Sequence, residues 1–319
     1  MRTFRAVLAS LLWNPAAGGG RATALVRQVE ALLVAAGVEV GVHRSGSLDD
    51  ARTRAAEAAG QVDLVVAVGG DGTVGACAAG LAEAGSGTGG TRAALGVVPA
   101  GSGNDVATAF GLPAGDPLAA AALLPTLPRR PVDVVRAELD GTVRRFLAVA
   151  ATGFDGQVNR LANRLPVRGR PRYVGATLLR LPFSRPAHFA IELAGDRLDA
   201  DAWMVTVANG PNYGGGLRIA PAARMDDGVL DVVVVGRLSR LGLLRALPTV
   251  FDGRHVDNPA VSTYQAARVT VAAEPAVPVY ADGEELGVTP ASFTVEPGAL
   301  HVLATPDAPA LGRSLGRSG

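Results

Sequence analysis

Several short runs of glycine, acid and hydroxyl residues have the types and spacing needed to handle phosphate. The first is Gly69-Gly70-Asp71-Gly72-Thr73, which ends an apolar run abruptly. Glycine permits positive φ and puts no Cβ in the way of a ligand. Backbone N–H groups at a strand–loop–helix junction converge on an anion, assisted by the helix dipole. A tight βα turn accounts for one glycine; three around an acid point to phosphate. Two similar runs are Asn14-Pro15-Ala16-Ala17-Gly18-Gly19-Gly20 and Gly101-Ser102-Gly103-Asn104-Asp105. A different kind of run is Tyr280-Ala281-Asp282-Gly283-Glu284-Glu285, where an acid could accept a proton. Asp-Gly is also the common type I′ hairpin pair, so locally a plain turn explains it. Asp226-Asp227-Gly228 reads as a turn in the same way, and Asp71 and Asp105 each read as a helix N-cap.

The elements that must position these residues follow from periodicity. Phe4 to Leu12 reads as a first strand, ending at the Asn14 loop. A helix with Leu25, Val29, Leu32, Leu33 and Ala36 at helical spacing follows, then an alternating strand at Val38, Val40 and Val42. Ser47 with Asp50 three residues on predicts a capped helix start. Val62–Val68 reads as a strand buried on both faces, with a helix over Ala76–Ala84 behind it. Leu95–Val98 is a fourth strand, followed by a helix over Val106–Phe110. Three of these strands end in a glycine-rich loop that opens a helix. In a parallel sheet all three loops share the carboxyl-terminal edge, where ligands bind.

Near Leu127-Pro128-Arg129-Arg130-Pro131 the pattern changes. Val132–Leu139 and Thr142–Ala150 read as strands joined by Asp140-Gly141. Further strands are predicted at Trp203–Val207, Leu230–Val235, Arg268–Ala272, Val277–Tyr280 and Leu300–Leu303, with a helix at Leu238–Phe251. The reading is thus α/β over 1–130, mostly antiparallel β over 131–305, and a loose tail over 306–319. Between Gln157 and Ile191 stand seven arginines and no acid, interleaved with Leu165, Tyr173, Leu178, Leu179, Leu181 and Phe183. That is either a solvated basic face or a docking face for an anionic membrane.

Composition excludes several classes. With 48% apolar residues in 319, sizeable cores are available, and a net charge of +1 gives no reason to expect nucleic acid. Cys77 is the single cysteine, so neither a disulfide framework nor a cysteine zinc site exists, and a reducing compartment fits. His43, His188, His255 and His301 lack metal-like spacing. No lysine occurs among the thirty basic residues, which excludes a Walker A loop and Schiff-base chemistry. No apolar run reaches the ~20 residues needed to cross a bilayer. Arg2 and Arg5 precede a short apolar run, as in a signal peptide, but Asn14-Pro15 and glycines follow at once; a first strand of the mature protein is expected.

Together, Asn14-Pro15 with Gly18, the 69–73 run and the 101–105 run resemble the diacylglycerol kinase catalytic family. The likeness is greatest to its soluble bacterial lipid kinases, relatives of the sphingosine kinases. Gly153-Phe154-Asp155, the block from Asn209 to Asp231 and Asp282-Gly283-Glu284 agree with it. The resemblance spans about Asn14 to Leu303. It implies a Rossmann-like three-layer α/β nucleotide domain followed by an antiparallel β-sandwich, with ATP between them. It also implies Mg²⁺-dependent transfer of the γ-phosphoryl group to a lipid hydroxyl, diacylglycerol first, at a membrane surface.

By position, Asn14, Pro15, Gly18, Ser45, Gly69, Gly70, Asp71, Gly72, Thr73, Gly101, Ser102, Asn104 and Asp105 would line the ATP site. Asp71 and Asp105 would help to organise nucleotide and metal. Asp227 through its carboxylate, and Arg224 and Val229 through main-chain carbonyls, would match a structural Mg²⁺ site. Asp282, ahead of Glu284, would match the general base. The expected setting is cytoplasmic, with transient membrane contact through 157–191 and a homodimer compatible with the reading. Gly75 and Ala76 stand where the family usually has Asn-Glu. Two alternatives stay open: a kinase of soluble hydroxyls such as an NAD kinase or a phosphofructokinase, and a nucleotide- or lipid-binding protein without catalysis.

Overall fold

The computed structural model describes residues 7–15, 22–86, 93–162, 164–165 and 170–312. They divide into two units, Met1–Asp133 with Pro297–Gly319, and Val134–Glu296.

The first unit is built on four parallel strands, β1 (Val7–Trp13), β2 (Val38–Arg44), β3 (Leu64–Gly69) and β4 (Ala94–Pro99), in the spatial order β4–β3–β1–β2. Five helices connect or follow them: α1 (Ala22–Ala35), α2 (Leu48–Ala58), α3 (Asp71–Gly85), α4 (Asp105–Ala109) and α5 (Pro117–Leu123). β3 and β4 are buried along their whole length, as strands covered on both faces must be. Val26, Val29 and Leu33 of α1 and Ala121 of α5 pack over Ala9, Leu11, Val66 and Val68 on one face of the sheet. α2 and α3 pack together on the other, giving three layers. The Ser47 hydroxyl accepts from the Asp50 N–H at 3.0 Å and caps α2 as its spacing predicts. α3 starts five residues before the expected Ala76, because the Val74 N–H reaches the Gly70 carbonyl at 3.1 Å and closes a first turn through the glycines. Cys77 lies buried in α3, and burial pushes its thiol up to about 12, so it is inert.

The second unit is a β-sandwich with helices on one outer face. Its elements are β5 (Arg129–Leu139), β6 (Thr142–Phe146), β7 (Val149–Gly153), α6 (Phe154–Ala162), α7 (Arg170–Arg180), β8 (Ala187–Leu193), β9 (Asp196–Ala208), β10 (Leu230–Gly236), α8 (Arg240–Ala246), β11 (Val261–Ala266), β12 (Arg268–Glu274), β13 (Pro278–Ala281), β14 (Glu284–Val288) and β15 (Ala291–Leu303). β9 serves both sheets. Its first half pairs β8, and its second half pairs β7 on one side and β10 on the other. Phe146, Phe189, Ile191, Val205, Val232, Val271 and Phe293 fill the space between the sheets. Phe154, Val158, Leu181, Trp203, Met204 and Val235 form a second core beneath the helices.

Three expectations change. Apolar content predicts one strand over Thr142–Ala150, but the strand breaks at Leu147 and Ala148, whose N–H groups turn to an acid from another hairpin. The second unit closes at Glu296 rather than 305: β15 continues into the first unit, where Val302 pairs in parallel with Leu95 of β4. Residues 306–311 are no loose tail. Ala308, Ala310 and Leu311 are buried, and the Ala310 N–H donates to the Ala109 carbonyl at 3.1 Å. Alternation marks a strand but not the sheet it joins. Among the described residues no helix is long and apolar enough to cross a membrane.

Candidate active site

In the first unit the register sets the ends of all four strands at one edge. Trp13 pairs with Arg44 and with Val68, and Gly69 pairs with Pro99. Asn14 and Pro15, Ser45, Gly69–Thr73 and Gly101–Asp105 therefore emerge together, at the carboxyl ends of parallel strands. Gly18 lies outside the described residues.

The second and third loops touch through their backbones. A Cβ on Gly101 would stand 2.4 Å from the Gly70 Cα, and one on Gly69 would stand 2.6 Å from the Thr73 side chain. Asn104 holds the third loop. Its Oδ1 accepts from the Gly101 N–H at 2.9 Å, its Nδ2 donates to the Ala114 carbonyl at 2.8 Å, and its backbone is left-handed at φ 61. Asparagine tolerates that conformation better than most residues.

Asp71 does not cap its own helix. Its carboxylate accepts from the Val106 N–H at 3.0 Å, and the amides of Asn104 and Asp105 also point to it, so it caps α4 from the neighbouring loop. Burial raises its pKa, and those amides pull against the rise. Ser45 is fully buried, with both its N–H and its Oγ donating to the Trp13 carbonyl, which fastens the ends of β1 and β2. Thr73 and Asp105 are buried, and Ser102 is exposed. A cavity of about 550 Å³ opens beside the third loop, lined by Leu25, Pro99–Asn104, Ala114, Gly115 and Pro117. At Gly101 and Gly103 no Cβ screens the backbone of this wall, and open backbone at a helix start suits a phosphate group.

The second unit gathers acids at one edge of its helix-covered sheet. Asp231 pairs with Ala208, Ala208 pairs with Val149, and the Asp282 N–H donates to the Val149 carbonyl at 3.1 Å. Blocks more than fifty residues apart in sequence thus end side by side. Asp282 and Gly283 both have positive φ between the paired Ala281 and Glu284, a two-residue hairpin turn of the kind the Asp-Gly pair predicts. The turn is not all. The Asp282 carboxylate accepts from the N–H groups of Leu147 at 2.7 Å, Ala148 at 3.0 Å and Val149 at 3.2 Å. Buried Asn209 braces the same segment by donating to the Leu147 carbonyl at 2.7 Å. Glu284 is exposed next to the turn.

In the loop before β10, Asp227 accepts from the Val229 N–H at 3.2 Å, and Arg224 reaches Asp226 at 3.4 Å. Asp231 holds Gln265 through one oxygen at 3.1 Å; its other oxygen, Oδ2, is buried and unpartnered. Burial raises the Asp231 pKa, the neighbouring Asp227 charge raises it further, and Gln265 opposes both. Among the described residues no three His, Cys, Asp or Glu side chains gather into a metal site. A cation here would therefore need main-chain oxygens or water, which suits Mg²⁺. An orphaned acid oxygen beside a second carboxylate fits such an ion.

Sequence reasoning did not single out Asp231, Asn209 or the 147–149 amides as parts of the edge. The first two bound a block it did recognise; the amides carry no side-chain signal at all.

Comparisons with known proteins bear on both units. Residues 9–137 match the model of the diacylglycerol kinase catalytic domain, and residues 148–304 match that of the YegS C-terminal NAD kinase beta sandwich-like domain. The chain is 40% identical over 296 residues to a diacylglycerol kinase of Mycobacterium tuberculosis, covering 92% of this chain and 93% of that one. It is 28% identical to a diacylglycerol kinase of Bacillus subtilis, covering 92% and 95%. A solved structure of a candidate diacylglycerol kinase from Bacillus anthracis has the same fold, with a TM-score of 0.79 at 24% identity over 97% of this chain and 99% of that one. With both units matched in order and close relatives covered almost end to end, this chain belongs to the diacylglycerol kinase family of lipid kinases.

Proposed function

We propose that this protein transfers the γ-phosphoryl group of ATP to a lipid hydroxyl, with diacylglycerol as the acceptor. The observation that carries this reading is the pair of touching glycine loops tied by Asp71 at the carboxyl edge of the parallel sheet. They offer amides without side chains, which is what a polyphosphate needs. Asn14, Pro15, Ser45 and the runs 69–73 and 101–105 would shape the ATP site, with Asp71 and Asp105 ordering nucleotide and metal. Phosphoryl transfer asks little covalent chemistry of a protein; positioning and charge neutralisation dominate.

In the second unit Asp282, ahead of Glu284, would take the hydroxyl proton. Its three amide donors fix the carboxylate in place. Asp227, with the main-chain carbonyls of Arg224 and Val229, would hold a structural Mg²⁺, and the orphaned Asp231 oxygen supports a cation at that loop. Such an ion supplies positive charge that lets the two carboxylates stay ionised side by side. The 157–191 segment, with Leu178, Leu179 and Phe183 exposed among arginines, would dock on anionic membrane from the cytoplasmic side.

Incubation with labelled ATP, Mg²⁺ and a panel of vesicle-borne lipids, with NAD in parallel, tests this reading. Label should enter diacylglycerol. Label in NAD alone, or ATP binding with transfer to no lipid, would overturn it. Magnesium should also raise the unfolding temperature of the nucleotide-free protein, and Asp227→Ala should remove that rise.

A further inference from the structure

The hairpin that carries Asp282 is thinly held along its outer side. β14 is the outermost strand of its sheet and pairs only with β13 among the described residues. Their pairing slips once. Val279 matches Gly287 and Tyr280 matches Glu285, which leaves Leu286 over as a bulge. A bulge interrupts the ladder and bends the strand that carries it. Only two rungs, Tyr280–Glu285 and Ala281–Glu284, lie between the bulge and the Asp282-Gly283 turn.

A clamp sits on the first of those rungs. The Tyr280 hydroxyl donates to Glu285 Oε2 at 2.5 Å, and the Arg160 guanidinium donates to Glu285 Oε1. Arg160 stands on α6 one turn after Gly156, where an added Cβ would lie 2.6 Å from the Pro278 carbonyl oxygen. Residues four apart share a helix face. α6 therefore meets β13 at Gly156 and β14 at Arg160. Tyr280 is buried, whereas the Arg160 and Glu285 side chains are each 42% exposed. An ion pair that open adds little stability. What sets it apart is geometry: each oxygen of one acid takes a donor, one from its own hairpin and one from a helix. Tyr280, and then Arg160, hold the Glu285 pKa below the usual value, so the clamp is charged at neutral pH. Side chains alternate along a strand, so Glu285 turns to α6 while Glu284 turns the other way. The 147–149 amides thus hold the hairpin at its tip, and the clamp holds it at its base.

We propose that Glu285, gripped by Arg160 and Tyr280, is a positioning residue for Asp282: it fixes the angle at which the hairpin presents that acid to the acceptor hydroxyl. Glu285 touches no substrate and acts through the backbone of the tip. The proposal rests on the reading of Asp282 as the proton acceptor. Misplacing a reacting group by about 1 Å costs about a hundredfold in rate, so even partial loosening is measurable.

Glu285→Ala and Arg160→Met break the clamp from its two sides, and thermal melts show which variants are folded. In the kinase assay each folded variant should lose at least roughly tenfold in kcat, while KM for ATP and for lipid stays within about twofold. In an Asp282→Asn background the same changes should cost nothing further, because the group they position is gone. Hydrogen exchange read by mass spectrometry needs no catalysis. Peptides covering 145–150, whose amides donate to Asp282, should exchange at least roughly tenfold faster in the variants, with β8 unchanged. A folded variant with wild-type kcat, or a loss that adds fully to that of Asp282→Asn, overturns the proposal. Unchanged exchange over 145–150 overturns it too. The two readings fail separately. Faster exchange in the variants of a protein that phosphorylates no lipid upholds the clamp and rejects the kinase, whereas lipid phosphorylation with kcat and exchange untouched by the variants does the reverse.

Discussion

Asp71 in the first unit and Asp282 in the second play the same structural part, and their surroundings make different surfaces of it. Each leaves its own turn and accepts backbone N–H groups from a neighbouring segment, Val106 in one case and Leu147 to Val149 in the other. Each thereby locks two loops at the end of a sheet. Beside Asp71 the loops meet glycine to glycine, so the surface left for a ligand is uncharged amide. Along the edge that Asp282 occupies, β10, which follows β7 and β9 across the sheet, contributes Asp231 with an oxygen to spare. Amides receive an anion; spare carboxylate oxygens receive a cation or a proton. The contrast shows how one tying device yields a bare amide surface or an acidic rim, according to what the neighbouring backbone leaves bare.

The sharpest way to break this comparison is Asp282→Asn. Turnover should fall by at least about a hundredfold, the usual scale for loss of a proton acceptor. Because the amide's NH₂ cannot accept, the 147–149 segment also loses part of its anchor, about 1–3 kcal/mol by urea denaturation. Lost stability with unchanged kcat would reduce Asp282 to a tie and pass the proton to Glu284. Asp71→Ala comes next. It should lower ATP-dependent activity sharply, by tenfold or more on the order of one lost charge-assisted hydrogen bond, and weaken ATP binding by calorimetry. Since burial raises the Asp71 pKa, wild-type activity that needs its ionised form should begin to fail, on acidification, above the range of an ordinary aspartate; Asp71→Asn should lose that limb of the profile.

Gly101→Ala should do less. Its Cβ cannot fit against Gly70, so the loops must part, at about 1–3 kcal/mol of overpacking strain, and ATP affinity should fall while the second unit keeps its fold. The last effect, which leaves activity alone, is a pH trend away from both rims. Burial raises the Asp155 pKa to about 6, with Tyr213 and Asn159 opposing. The folded state then binds this proton more tightly than the unfolded chain, so Asp155 gives relative stability below its unfolded value and loses it as pH rises through about 6. Melts of wild type against Asp155→Asn from pH 4 to 8 should show the wild type losing about 2–3 kcal/mol relative to the variant as pH rises.

Much of this is legible in the amino-acid sequence. The four parallel strands declare themselves as apolar runs stopped by glycine loops, and their common edge follows from parallel order alone. The Ser47 cap and the two Asp-Gly hairpins were readable because local backbone chemistry decides them. What escaped was set at long range. The break at Leu147 depends on an acid 135 positions later. Asp71 looked like a cap and is one, but for α4 rather than for its own helix. Asp155 stood inside a recognised motif, yet its place in an apolar wall exists only once β7, α6 and α8 have assembled. The segment from 157 to 191 spoke through its charge, so the helices α6 and α7 within it went unread.

The route of β15 bears on how the chain must be made. Leu303 belongs to the core over β1 and β3, and the Thr305 N–H closes onto the Phe110 carbonyl. Folding during synthesis proceeds from earlier residues onward, yet here the unit begun first waits for residues 297–311 to leave the ribosome, while the one between them can finish earlier. A fragment stopped at Asp133 would expose the seam that this returning segment seals, so expressing the first unit alone calls for grafting 297–311 back on rather than for simple truncation.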